Sequence, residues 1–232
     1  IVHQARYFVI GENRFMSRGY PNVSCLLSFL FLMCIFAGSL HAQALPELEL
    51  WVGDLQGTVV YQQPDSRTWD PLKVDQTLAQ NDRVKTGPDG SVTLTMPGIS
   101  VTKIQPESEI LIKSLNRDKK KRNTLLGQDD ISVNDIEMDV QSGELENAVK
   151  NSSGSQTNYR IRTNGSVAGV RGTTFHFQRE PDGGASVSVL EGGVSLFPPG
   201  NPDQAVEVGE NERSTLEPGG DKPVINAISD AV

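Results

Sequence analysis

Residues 159–177, YRIRTNGSVAGVRGTTFHF, contain the pattern that decides the fold class. Phe175 and Phe177 flank His176, and this period of two residues is typical of a β-strand that buries one face. His176 is therefore expected on the opposite face, as an exposed or edge side chain. The same alternation recurs in Leu48, Leu50 and Val52, in Val92, Leu94 and Met96, in Ile110 and Ile112, in Ile136, Met138 and Val140, in Val187 and Val189, and in Val194 and Leu196. The chain is therefore predicted to be all-β, with many short strands.

Several segments interrupt this alternation. Residues 75–79 and 144–150 are predicted to form short helical turns. Residues 116–130 include the basic run RDKKKR and lack apolar alternation, so we interpret them as a long exposed connection between strands. A basic run of this kind can also bind an anionic surface or polymer. Residues 151–158, NSSGSQTN, are predicted to form a polar loop.

The composition limits the partners of the chain. Its 232 residues include 29 acidic and 21 basic side chains, which gives a formal net charge of −8. An acidic body is a poor partner for a phosphate backbone, so no nucleic-acid partner is expected. The 22 glycines and 13 prolines favour many turns, and the hydrophobic fraction of 37% is that of a globular but polar chain.

The amino-terminal part has the pattern of an export signal. Residues 1–15 precede the first methionine and are interpreted as upstream sequence or a mis-called start. Residues 16–44 then follow the order of a signal peptide, with a basic start, an uncharged apolar run over residues 25–37 and a small-residue motif that ends at Ala44. The apolar run is short for a membrane span, which needs about 20 residues. We therefore expect a signal helix that is cleaved after Ala44, or after Ala42, and a periplasmic or extracellular mature protein.

Cleavage would change the chemistry available to the mature chain. Three arginines and one glutamate lie in residues 1–44, so 18 basic and 28 acidic residues would remain and the net charge would be −10. Cys25 and Cys34 would be removed, which excludes a disulfide and a thiolate nucleophile. His176 would be the single histidine, which excludes a zinc site built from Cys or several His. No later stretch is long and apolar enough to span a membrane stably.

Other candidate catalytic patterns are weak. Residues 165–172 contain three glycines in a Gly-x3-Gly-x2-Gly spacing, but they lead into a strand, whereas a phosphate loop leads into the amino terminus of a helix. Asp135, Glu137 and Asp139 alternate on one face of a strand, as on a solvent-exposed face. Together with Asp129 and Asp130 they form an acidic cluster, and a calcium site built from these oxygens is the alternative. The acidic residues show no spacing that favours a glycosidase pair. We therefore assign no catalytic, cofactor-binding or metal-binding residue, and we predict that the chain is not an enzyme.

Three segments, in this order, resemble the FecR domain family of bacterial envelope proteins. The first is residues 69–90, in which the matching positions are Trp69, Asp82, Val84, Thr86, Gly87 and Gly90. The second is residues 140–145, VQSGEL, with Gly143. The third and most specific is residues 159–177, with Val170, Arg171, Gly172, Thr173, Thr174 and Phe175 at its centre, followed by Glu191 and Gly192.

The resemblance covers nearly the whole mature chain and implies its organisation. It places a FecR-like all-β domain at residues 45–217, with a core at about residues 79–178. Residues 218–232 show little periodicity and are predicted to be a flexible tail. The implied fold arranges the short strands in a β-helix-like or sandwich-like way. Asp75 and Asn81 stand where the family favours glycine, and both residue types tolerate turn conformations.

The matching residues are interpreted as structural. Arg171 lies between apolar Val170 and a strand that begins after Gly172, so the pattern predicts that Arg171 is buried between β layers. A buried guanidinium must be paired, and the candidate partners are Asp82, Glu191 and backbone carbonyls. The alternative is that Arg171 binds a carboxylate or phosphate of a ligand.

The resemblance also implies a binding role. Sensors of this family carry a cytoplasmic anti-sigma domain and a membrane helix, whereas this sequence has the pattern of a cleavable signal, so a direct sigma-factor role is poorly supported. We expect a non-enzymatic periplasmic or secreted FecR-domain binding or scaffold module that serves envelope signalling, with an unidentified envelope protein or polymer as its partner. The alternatives are a structural surface or adhesin-type protein, and an enzyme that acts on envelope polysaccharide.

The export signal makes a prediction about the native protein. Intact-mass and amino-terminal peptide analysis of protein isolated from its own cells should find a chain that begins at Leu45, or at Gln43. A membrane-retained product that still begins at Met16 would contradict the cleavage.

Overall fold

The computed structural model describes residues 47–125, 127–151 and 155–227. The predicted upstream residues 1–15, the predicted signal peptide and the last residues of the predicted tail lie outside this part of the chain. The described strands are β1 (Leu50–Gln56), β2 (Val59–Gln62), β3 (Asp70–Pro71), β4 (Thr77–Leu78), β5 (Arg83–Thr86), β6 (Ser91–Met96), β7 (Ser100–Ile104), β8 (Glu109–Thr124), β9 (Gly127–Val149), β10 (Ser155–Arg162), β11 (Val167–Val170), β12 (Thr174–Arg179), β13 (Ala185–Glu191), β14 (Val194–Phe197), β15 (Val206–Val208), β16 (Glu212–Leu216) and β17 (Val224–Ala227). One short 3₁₀ helix, Pro202–Gln204, is the helical segment among these residues. The predicted all-β class is confirmed.

The strands form two sheets that share β9. In the first sheet the order is β4-β1-β6-β7-β9-β12-β13-β16-β17. In the second sheet the order is β3-β2-β5-β8-β9-β10-β11-β14-β15. Every described pairing is antiparallel except β9 with β10. A parallel β-helix would require parallel neighbours throughout, so the arrangement is the sandwich-like one of the two predicted.

The core lies between the two sheets. The alternating apolar side chains of both sheets form one buried cluster, as the period of two residues predicts. A polar contact also crosses this core, because the hydroxyl of Tyr159 on β10 lies 2.8 Å from that of Thr102 on β7. The Thr102 hydroxyl is in turn 3.0 Å from the Asn147 side-chain oxygen. Burial raises the pKa of Tyr159 to about 12, so the phenol stays protonated.

Gly143 is the point at which β9 passes from one sheet to the other. Up to Ser142, β9 pairs with β8, and from Gly143 onward it pairs with β12. Gly143 has φ +89°, a region that favours glycine. A Cβ there would lie 2.0 Å from the Ser108 hydroxyl oxygen and 2.6 Å from the Ser108 Cα. The bend therefore requires glycine for two reasons, its backbone conformation and the close approach of Ser108.

The two predicted helical turns are wrong. Thr77 and Leu78 form the short strand β4, which pairs with β1, and residues 144–149 are part of β9. The first sheet accepts both segments because each has a neighbouring strand with free backbone groups, and such tertiary pairing overrides weak local helix preference. The predicted tail is also partly ordered, since β17 pairs with β16. No helix in the described ranges is long and apolar enough to cross a membrane.

The described residues of the predicted connection at 116–130 are mostly exposed, as expected, but they are strands rather than an irregular loop. These residues form the outer part of a long β8–β9 hairpin, whose register runs from Arg117 opposite Asn134 to Thr124 opposite Gly127. Apolar alternation marks a strand with one buried face, and most side chains of this part of the hairpin are exposed on both faces. Of the predicted loop at residues 151–158, residues 155–158 belong to β10 instead.

Asp75 and Asn81, which stand where the family favours glycine, both adopt the left-handed backbone conformation of a turn. Their φ angles are +64° and +70°. Asx side chains tolerate this left-handed region better than other non-glycine residues do.

The bend in β9 gives a stability prediction. Gly143→Ala should lower the free energy of unfolding by about 3 kcal/mol, because an unfavourable φ and overpacking against Ser108 add. Gly98→Ala is the matched control, since Gly98 has φ +75° but nothing within 4 Å of the added methyl group. It should cost only about 1 kcal/mol. Urea unfolding of both variants measures the difference, and equal costs would show that the contact with Ser108 is not a constraint.

Candidate functional site

Two corners, at which the chain crosses between the sheets, contain most of the residues that the family resemblance singles out. The first corner follows β5, and Thr86 is 2% exposed there. Its hydroxyl donates to the carbonyl of Gln105 at 2.7 Å and accepts from the N–H of Ser108 at 2.9 Å. The Gly87 N–H donates to the carbonyl of Thr58 at 2.8 Å. One buried hydroxyl thus joins the turn after β5 to the turn before β8.

The second corner repeats this device between β11 and β12. Thr173 is 1% exposed, and its hydroxyl donates to the carbonyl of Gly193 at 2.7 Å. The same oxygen accepts from the N–H of Gly193 at 3.2 Å. The carbonyl of Thr173 accepts from the N–H of Val149 at 2.9 Å, which fixes the end of β9 against this corner. Each corner is therefore held by a threonine that satisfies backbone groups of a neighbouring turn.

Gly172 allows the second corner to pack closely. It has φ +61°, and a Cβ there would lie 2.3 Å from the side-chain nitrogen of Asn151. A Cβ on Gly192 would lie 2.6 Å from the Gly172 carbonyl oxygen. Three segments of backbone and side chain therefore converge on this position.

Arg171 is exposed, which contradicts the predicted burial between β layers. It forms no ion pair or side-chain hydrogen bond with any part of the chain that the structure describes. Asp82, one predicted partner, accepts instead from the N–H of Ala79 at 2.9 Å, and Glu191, the other, is exposed. The physical reason is the left-handed turn at Gly172, since the corner directs the backbone inward at Thr173 and leaves the preceding side chain outside.

Arg171 lies instead at the junction of two surface cavities of about 420 Å³ and 410 Å³. Lys150 and Asn151 line the first cavity, and Arg160 and Glu207 line the second. Both cavities also include Val170, which is 5% exposed and provides an apolar wall. We call this surface the Arg171 groove.

The charges around the Arg171 groove are not equivalent. Arg160 is held by Asp135 at 2.9 Å and by Glu137 at 3.0 Å, and Arg162 is 3.0 Å from Glu137. Burial of Glu137 opposes its charge, but the hydrogen bonds and charges of Arg162 and Arg160 outweigh burial and lower its pKa. Arg171 and Lys150, by contrast, form no ion pair within the described residues. The groove therefore offers two cations for an incoming anion.

The acidic face of β9 therefore forms ion pairs with arginine side chains of β10. Asp135, Glu137 and Asp139 do alternate on one face, opposite buried Ile136, Met138 and Val140. Two of the three carboxylates bind Arg160 or Arg162, an arrangement that competes with a cation for the same oxygens. The described residues contain no cluster of side chains that could hold a metal ion.

The remaining matching residues lie apart from the groove. Trp69 is half-buried beside β3, and the Lys85 ammonium is 6.0 Å from the centroid of its ring. Burial raises the pKa of Asp82, an effect that the hydrogen bond from Ala79 opposes. Gly90 donates to the carbonyl of Gly87 at 3.0 Å within the first corner. Phe175 is 1% exposed in the core.

Sequence reasoning did not find the other groove residues. The turn after β9 contributes Lys150 and Asn151, β10 contributes Thr157 and β15 contributes Glu207, and no spacing in the sequence connects these residues with Arg171. The available signal was indirect, since Arg171 is the one charged residue between Val170 and Phe175.

Two variants at the second corner distinguish a role in folding from a role in binding. Arg171→Ala should change the melting temperature by less than about 2 °C, because an exposed, unpaired side chain contributes little to stability. Thr173→Val should cost about 2 kcal/mol, because it leaves the Gly193 N–H and carbonyl without their partner. Differential scanning calorimetry compares the two, and a large loss in Arg171→Ala would restore the structural interpretation of Arg171.

Comparison with known proteins agrees with the sequence resemblance. The FecR protein family matches residues 82–195, which include both corners. Two crystal structures of a candidate anti-sigma factor from Parabacteroides distasonis ATCC 8503, at 1.65 Å and 2.50 Å resolution, are similar at 16% sequence identity, with TM-scores of 0.45 and 0.44. The similarity covers 62% of this chain and 59% of the length of that protein. No curated protein matches the chain. The match begins at the residue before β5 and ends within β14, and this segment of the chain, residues 82–195, belongs to the FecR protein family.

Proposed function

We propose that this protein is a non-enzymatic, exported binding module of the bacterial envelope that serves signalling, and that the Arg171 groove binds an anionic group of its partner. One observation carries the proposal. Arg171 is exposed and unpaired within the described residues, in a corner whose other matching residues are buried or tightly packed.

The chemistry of the groove supports an anionic ligand group. A guanidinium presents a planar set of five N–H donors, which fits a carboxylate or a phosphate in a bidentate geometry. Lys150, which lines the same cavity, adds a second positive charge. The corner beneath them is fixed by Thr173 and Gly193, so the backbone of Arg171 is held in place before a ligand arrives. Such preorganisation lowers the entropic cost of binding.

The surroundings of the groove favour binding over catalysis. Asp135 and Glu137, the carboxylates that hold Arg160 of the groove, are both engaged in ion pairs, and the pKa of Glu137 is lowered rather than raised. A general acid at neutral pH needs a raised carboxyl pKa. His176 lies on the other sheet, 3.3 Å from Glu144, and does not line the groove.

A capture experiment tests this function. The mature chain, residues 45–232, is immobilised and incubated with envelope extract from its own bacterium, and bound proteins and polymers are identified after washing. We expect a specific partner that is lost with Arg171→Ala and weakened with Lys150→Ala. Binding should also fall as salt rises, because the contact is an exposed charge pair.

The matched control is Arg67→Ala. Arg67 is exposed on the loop before β3 and does not line the groove. Loss of the partner in both arginine variants would contradict a site at Arg171. Retention of the partner by Arg171→Ala would also contradict a site at Arg171. Turnover of an envelope polysaccharide by the purified chain would contradict the non-enzymatic role.

A further inference from the structure

The β8–β9 hairpin extends beyond the strand that flanks β8. β5 pairs with β8 only from Glu109 to Leu111. The last backbone contacts on that side are the N–H of Ile112, which donates to the carbonyl of Asp82 at 2.9 Å, and the N–H of Leu115, which lies 3.4 Å from the Gln80 side-chain oxygen. No strand among the described residues pairs with this edge of β8 farther out, although its other edge pairs with β9 as far as Thr124.

A cavity adjoins the start of this open edge. It has a volume of about 680 Å³ and lies between residues 115–118 of β8 and two other segments, residues 47–49 and 77–80. Its apolar part includes Leu48 and Leu78, which are 7% and 3% exposed. A strand laid along β8 would therefore reach an apolar pocket at one end.

The open edge is also strongly basic. Lys119, Lys120, Lys121 and Arg122 are exposed, and none of them forms an ion pair in the described part of the chain. Lys121 and Arg122 are directly opposite Asp130 and Asp129 on β9, whereas Lys119 and Lys120 are opposite Ser132 and Ile131. The uncompensated charge is therefore greatest at Lys119 and Lys120, in a chain whose net charge is −8.

These charges alternate between the two faces of the hairpin. Successive side chains of a strand point to opposite faces, so Lys119 and Lys121 lie on one face and Lys120 and Arg122 on the other. A flat anionic surface, such as a membrane, meets only one of these faces at a time. A strand that pairs with the edge places its own side chains alternately on both faces, and acidic residues at successive positions would contact all four cations.

We propose that the outer edge of β8 from Lys119 to Arg122 is a docking site for an extended acidic peptide segment of a partner protein. The segment adds to the second sheet as a further strand, through main-chain hydrogen bonds, and places an apolar side chain in the cavity beside Leu48 and Leu78. This mode of recognition derives affinity from the backbone and specificity from the side chains.

The same positive charges disfavour pairing of this edge with the β8 edge of a second copy of the chain. Two β8 edges would bring their lysines together, and lysine on an exposed edge strand is a common protection against such pairing. A second copy could instead place the acidic end of its β9, with Asp129 and Asp130, against this edge. The experiment must distinguish this form of self-association from peptide binding.

The experiment uses the mature chain and a fluorescein-labelled peptide, Leu-Thr-Glu-Glu-Glu-Glu-Thr-Leu, which reads the same in both directions. Fluorescence anisotropy should show saturable binding. The double variant Lys119→Glu/Lys120→Glu should weaken it at least tenfold. Lys73→Glu/Lys222→Glu changes the net charge equally at exposed positions outside β8 and should bind as the unaltered chain does.

A second peptide tests the main-chain pairing. The same sequence with N-methylated glutamates keeps its charge but cannot donate the hydrogen bonds of a strand, so it should fail to bind. Equal binding of both peptides, together with binding to phosphatidylglycerol vesicles, would overturn the proposal in favour of a general anionic surface.

Self-association is measured separately by sedimentation velocity. Dimers or longer assemblies that disappear in Lys119→Glu/Lys120→Glu would overturn the proposal in favour of a second copy. Lys119→Glu/Lys120→Glu leaves the Arg171 groove unaltered and should retain the envelope partner that Arg171→Ala loses, so this site and the Arg171 groove can fail independently.

Discussion

The structure depends on how the chain turns at the edges of its two sheets. Every crossing brings backbone N–H and carbonyl groups into a partly dry environment where they lack the ladder partners of a strand, and unpaired groups there are costly. Thr86 and Thr173 solve this problem in the same way, each with one buried hydroxyl that both donates to and accepts from a neighbouring turn. The strands and the core can pack as they do only because these crossings are satisfied.

Much of the fold was predictable because burial imposes a period of two residues on each half-buried strand. Phe175 and Phe177, or Ile136, Met138 and Val140, are buried as that period requires. The outer β8–β9 hairpin was missed for the complementary reason, since a strand exposed on both faces has no such signal. Similarly, β4 exists because β1 offers it a partner, and that information is absent from residues 77 and 78 themselves.

The candidate site was less predictable than the fold. The pattern around Arg171 located the corner, but it could not say on which side of the backbone the guanidinium lies, because that depends on the left-handed turn at Gly172 and on the packing of Asn151 against it. Lys150 and Arg171 are brought together by the hydrogen bond between Val149 and Thr173, a contact between residues far apart in the sequence. A motif that is mainly structural can thus carry one residue that serves another purpose.

The continuity of β9 has a consequence for how the domain comes apart. This strand pairs with β8 and β10 in one sheet and with β7 and β12 in the other, and neither sheet can lose it without exposing the shared core. The two sheets are therefore expected to form one cooperative unit, with partial opening at an edge strand such as β17. Its pairings also join distant parts of the sequence, so the loop-closure entropy must be overcome before β9 is stabilised. A domain built in this way is expected to fold slowly and, once folded, to resist local unfolding near its bend.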